Sequence, residues 1–143
     1  RSLGIADEEM VVAFLGRIVM EKGLDVFADA VDELTRRGTR HRVIVIGEGP
    51  ARPWFEERMP QGIFLGLQEK ADLARALASS DVLLNPSITE AFGNVTLEAM
   101  ACALPVVAAE ATGATNLVRD GETGVLVEPG DIDAFADALQ AYA

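Results

Sequence analysis

The chain has 143 residues, half of them apolar and 24% charged, and its 23 acidic and 12 basic side chains give a net charge of −11. That length suits one compact domain, residues 1–143, and the acidic balance excludes the basic face that nucleic-acid phosphates require, as it disfavours binding to a membrane surface. No apolar run approaches the roughly 18 residues of a membrane helix, RSLGIADEEM carries no secretory signal pattern, and the single Cys102 leaves no internal disulfide, so a soluble, cytoplasmic protein is expected.

VVAFLG (11–16) predicts the first strand. KGLDVFADAVDELTRRG then places Leu24, Phe27, Ala28, Val31 and Leu34 at helical spacing and closes on arginines and Gly38. HRVIVIG (41–47) is the second strand. It leads into PARPWFEERM, where Trp54 and Phe55 are expected to anchor a short helix to a sheet. IFLG (63–66) is the third strand, and EKADLARALASSD (69–81) a helix with Leu73, Ala76 and Leu77 inward. After VLLNPS (82–87) comes a helix containing Val95, Leu97, Ala99, Met100 and Ala101, with Asn94 as its N-cap. PVVAA (105–109) and GVLV (124–127) are strands, and DIDAFADALQAYA (131–143) is a last helix with Ile132, Phe135, Ala136 and Leu139 on one side.

This alternation implies an α/β fold, a doubly wound, Rossmann-like parallel sheet of about six strands with helices on both faces. Ligands of that class bind beyond the carboxyl ends of the strands. Turn residues gather there: Gly16-Arg17, Gly47-Glu48-Gly49-Pro50, Gly66-Leu67 and Asn85-Pro86-Ser87. GEGPAR departs from the dinucleotide pattern G-x-G-x-x-G at Arg52 and follows the second strand, so neither a nicotinamide nor a flavin is expected. The acidic cluster of a signalling receiver is missing from the strand ends, no acidic group has metal-ligand spacing, and His41 reads as an exposed loop histidine.

GRIVMEKG sets Arg17 at a strand end and Lys22 at the entrance of the next helix. Two cations facing one crevice suit a diphosphate, the arginine as a two-pronged donor and the lysine as a point charge. Ordinary surface pairing with Glu21 or Asp25 is the alternative. In TEAFGNVTLEAM, Glu90 precedes Gly93-Asn94 and Glu98 follows in the first turn of a helix, whose free amides favour phosphate. The helix dipole alone would accommodate Glu98. Two carboxylates flanking such amides also suit a ligand with hydroxyls on both sides of its phosphates, a nucleoside diphosphate sugar.

The order GRIVMEKG, VIGEGP, FLG, DVLLNPS, EAFGNVTLEAMACALPVV and DGETGVLVEPGD, followed by the closing helix, runs from near Arg1 to Ala143. It resembles the C-terminal, donor-binding half of a GT-B glycosyltransferase of family 4 (glycosyl transferases group 1), a retaining group of enzymes. The resemblance implies that Glu90 and Glu98 are the family's paired glutamates. Glu98 would accept from the ribose hydroxyls and Glu90 would contact the transferred sugar. Arg17 and Lys22 would neutralise the diphosphate together with amides around Gly93, Asn94, Val95 and Thr96. Gly16, Gly49, Leu67 and Phe92 would complete the substrate-binding set, with the base near the GEGP turn and Gly66-Leu67. It further implies hexosyl transfer from a UDP-, GDP- or ADP-sugar with no cofactor and no metal. An N-terminal acceptor domain absent from this chain would supply any membrane contact. Two departures stand out: Ala103 where the family often has glycine, and Thr112–Asn116 where many members read Gly-Gly-x-x-Glu, so that acid's role does not pass to Asn116. A sugar-nucleotide epimerase or glycosyl phosphorylase of the same architecture, or a non-catalytic nucleotide-sensing module, is the alternative.

Overall fold

The computed structural model describes residues 10–20, 23–60, 62–66, 70–85, 104–109, 124–128 and 130–142. The apolar runs form six strands, β1 (Met10–Leu15), β2 (His41–Ile46), β3 (Ile63–Gly66), β4 (Val82–Asn85), β5 (Val106–Ala109) and β6 (Gly124–Val127). All pair in parallel in the order β3-β2-β1-β4-β5-β6, as the alternation of elements predicts. Strand order reverses between β1 and β4, the switch point at which such sheets open a crevice.

The strands read as continuous apolar runs because both faces are covered. Val12, Phe14, Val43, Val45, Leu84 and Val107 belong to one core, and Val11, Ala13, Ile44, Ile46, Leu83 and Val106 to the other. At the sheet edge, Ile63–Leu65 of β3 are only half-buried. The first core takes in α1 (Leu24–Arg36), α2 (Arg52–Arg58) and α4 (Ile132–Gln140), through Phe27, Leu34, Phe55, Phe135 and Leu139. The second packs on α3 (Lys70–Ala78) through Ala76 and Leu77. All five apolar residues predicted to face inward on α1 are buried, whereas Leu73 and Ile132 are half-buried.

Two expectations change. Phe55 anchors α2, but Trp54 is 38% exposed and lies stacked on Phe55, with ring centroids 6.3 Å apart. Adjacent helical residues point roughly 100° apart, so a short helix on a flat sheet buries one of them and turns the other out. His41 is the first residue of β2, half-buried, with Nδ1 2.9 Å from the Thr39 carbonyl. The predicted helix around 94–101 lies outside the described residues.

Charged side chains tie the helices of the first core together. Beyond the end of α1, Arg37 donates to Glu33 at 2.9 Å, to Asp137 at 2.6 Å and to Gln140 at 2.7 Å, clasping α1 to α4. Arg58 reaches Asp29 at 2.8 Å and Asp32 at 2.7 Å, tying α2 to α1. The bond from Arg37 holds the Glu33 carboxyl below its ordinary value of 4.5, against a partial desolvation and with help from Arg36. A carboxyl with a depressed folded pKa adds stability that is present above about pH 4.5 and is lost as pH falls through the lower folded value. Arg37→Met should therefore lower the melting temperature at neutral pH, and its deficit against the wild type should shrink on acidification. A deficit that stays constant down to pH 2 would show that the pair contributes nothing.

Candidate functional site

Beyond the carboxyl ends of β1, β2 and β3 the main chains stay bonded to one another. Gly16 N–H donates to Ile46 O at 3.1 Å, Ile18 N–H to Glu48 O at 3.0 Å, Ala51 N–H to Ile18 O at 3.0 Å, and Gly47 N–H to Gly66 O at 2.9 Å. Glycine is required twice by this close approach. Gly47 has φ 139°, and a Cβ there would overlap the Gly16 carbonyl, while a Cβ on Gly49 would overlap the main chain of Ile18. The register shift between β2 and β3, which pairs Ile46 with Gly66, brings the third turn into the same group.

The turns after β1 and β2 border an open crevice of about 360 Å³ lined by Gly16, Arg17, Gly47 and Glu48, with apolar Leu15, Ile46 and Leu73. Arg17 is exposed, and among the described residues no carboxylate pairs with it, Asp25 included. Glu48 instead meets Arg52, whose guanidinium lies 5.6 Å over the Phe64 ring. The crevice thus carries an available cation on one side and a compensated acid on the other. Arg17 also borders a groove of about 670 Å³ shared with Met20 and Trp54, the two exposed large hydrophobic side chains among the described residues. A cavity of about 250 Å³ lies at the opposite end of the sheet, near His41; its Arg58 is already held by Asp29 and Asp32.

Of the site residues predicted from sequence, the structure brings Gly16 and Arg17 together in the crevice, while Gly49 packs against Ile18 and does not line it. Lys22, Leu67, Glu90, Phe92, Gly93, Asn94, Val95, Thr96 and Glu98 lie outside the described residues. Sequence reasoning singled out the GEGP turn without assigning a role to Glu48. The signal was an acid between two glycines at a strand end. The groove at Met20 and Trp54 had no such sign. Among the described residues no group of three His, Cys, Asp or Glu side chains could hold a metal ion, and no described helix is long and apolar enough to cross a membrane.

A six-stranded parallel sheet in this order, covered on both faces and with glycine turns at its carboxyl ends, is a Rossmann-like doubly wound domain. The sequence profile described as Glycosyl transferases group 1 matches residues 9–143, and the chain belongs to that family, whose fold is GT-B. It is 33% identical over 140 residues to the alpha-D-kanosaminyltransferase of Streptomyces kanamyceticus, covering 94% of this chain and 36% of the relative. It is 38% identical over 152 residues to the D-inositol 3-phosphate glycosyltransferase of Mycobacterium marinum, covering 96% of this chain and 31% of the relative. Among solved structures, Anabaena HepE in complex with UDP and glucose superposes with a TM-score of 0.83 at 29% identity, over 98% of this chain and 40% of that one. The chain thus spans about a third of the length of these curated relatives.

Proposed function

We propose that this chain is the nucleotide-sugar-binding domain of a retaining, family 4 glycosyltransferase. The whole enzyme transfers a hexosyl group from a UDP-, GDP- or ADP-sugar to an acceptor hydroxyl. The reading rests on Arg17, a guanidinium with no carboxylate partner among the described residues, at the end of β1 beside Gly16 and the switch point. The UDP complex of Anabaena HepE supports a nucleotide in this fold.

As the glycosidic bond breaks, negative charge grows on the departing diphosphate, and preorganised cations and amides stabilise it most effectively. Arg17 and Lys22 take this role with the amides of Gly93 to Thr96. Gly16 lets the diphosphate approach the main chain, Glu98 accepts from the ribose and Glu90 positions the sugar. We assign no cofactor. Acceptor recognition falls to a further, N-terminal domain, so the 143-residue chain binds donor without turnover.

Calorimetric titration with UDP, GDP and ADP should give saturable heat from at least one of them, and silence from all three at millimolar ligand would overturn the reading. Arg17→Ala should lose roughly 1.5 to 3 kcal/mol of binding, the value of a hydrogen bond to a charged group. An unchanged affinity would remove Arg17 from the site.

A further inference from the structure

The donor site proposed above leaves the nucleobase without a side chain to read it. Glu48 stands between two glycines whose close contacts with Gly16 and Ile18 set the course of the turn, and it lines the same crevice as Arg17. Its carboxylate lies over Gly66 at the end of β3, so near that a Cβ on that glycine would meet Oε2 at 2.9 Å. Arg17 stands at the end of β1, two strands away. Neighbouring strands are about 4.8 Å apart, so the two positions are separated by about 10 Å. A nucleotide whose phosphates meet Arg17 and whose ribose and base run along the strand ends therefore carries its base toward Glu48.

The carboxylate is suited to reading that base. It is 43% exposed, and Arg52, itself set over Phe64, takes up Oε2. The guanidinium offsets the acid's charge, which lets it stand in a crevice that binds an anion. An ionised carboxylate only accepts hydrogen bonds. Arg52 takes Oε2, which leaves one oxygen to meet the ring edge. There uracil and guanine present a ring N–H beside a carbonyl, whereas adenine and cytosine present a bare ring nitrogen, another acceptor, and offer a donor only from the exocyclic amine at its side. Resting on the donor-binding reading, we propose that Glu48 is the base-reading residue: it accepts the ring N–H of uracil or guanine and selects UDP- and GDP-sugars over donors built on adenine or cytosine.

Titrating the 143-residue chain with UDP, GDP, ADP and CDP separates the possibilities. The wild type should bind UDP or GDP at least tenfold more tightly than ADP and CDP. Glu48→Ala should abolish that preference by weakening the favoured nucleotide alone. Glu48→Gln, whose amide both accepts and donates, should narrow the gap from both sides, and it serves as the second variant if the alanine form folds poorly. The favoured nucleotide methylated on its ring nitrogen should bind the wild type as weakly as the unmethylated one binds Glu48→Ala. If Glu48 only holds Arg52 against Phe64, its replacement will weaken all four nucleotides alike. That result, an unaltered preference, or a wild-type preference for ADP or CDP would overturn the assignment while leaving donor binding intact. Failure of all four to bind the wild type would instead overturn the donor-binding reading, and the role of Glu48 with it.

Discussion

Phe55→Ala should destabilise the domain by about 3 to 5 kcal/mol, the cost of emptying a fully packed aromatic position. Phe55 is completely buried and is the one buried residue of α2. Its ring meets Phe14, Phe27 and Phe64 nearly edge-on, at centroid distances of 5.5, 5.6 and 5.8 Å. Edge-to-face contacts add to the area buried, so truncation removes both terms and leaves a void between β1, α1 and β3. A helix of seven residues cannot hold its own conformation in water, so its attachment depends on this side chain. The consequence reaches the crevice, because α2 begins where the GEGP turn ends. Phe55→Leu should retain most of the stability, losing about 1.5 kcal/mol. Denaturant unfolding of both variants measures the difference. A loss below about 1 kcal/mol for Phe55→Ala would mean that α2 is held by something other than its phenylalanine.

Gly47→Ala should cost roughly 2 to 5 kcal/mol and abolish nucleotide binding, for two independent reasons. At φ 139° an L side chain is strained, and its Cβ would overlap the Gly16 carbonyl. Relief requires the ends of β1 and β2 to part, which breaks the bonds from Gly16 to Ile46 and from Ile18 to Glu48. Gly38→Ala separates the two causes: φ is 75° and nothing stands within 4 Å of the added carbon, so only backbone strain of about 1 to 2 kcal/mol remains. Equal losses at the two positions, measured by unfolding, would refute close packing of the strand ends as the reason for glycine at 47.

Much of this architecture was legible from sequence because burial on two faces leaves an unmistakable run of apolar residues, as in MVVAFL and HRVIVI. The face of α1 was equally plain, since helical spacing and burial agree there. Trp54 was misread because hydrophobicity says that a residue seeks contact and not which way it points. Its neighbour Phe55 had already taken the inward direction. The position of Gly16 and Arg17 at a strand end was also legible, and the structure has them just past β1. The bonds joining three turns could not be read, since they depend on the register of β1, β2 and β3 across some 50 residues, and the shift between β2 and β3 has no local sign. The posture of Glu48 likewise depends on two other choices, Arg52 four residues on at the start of α2 and a glycine at the end of another strand.

The turn from Gly47 to Gly49 divides labour between backbone and side chain. Its glycines are committed to neighbouring main chain, while the residue between them is half-exposed, its carboxylate on Arg52 and over Gly66. An exposed ion pair such as that of Glu48 and Arg52 contributes at most about 1 kcal/mol, so exchanging the acid barely touches the frame around it. The side chain that we propose reads the base can therefore be exchanged while the turn that carries it stays in place.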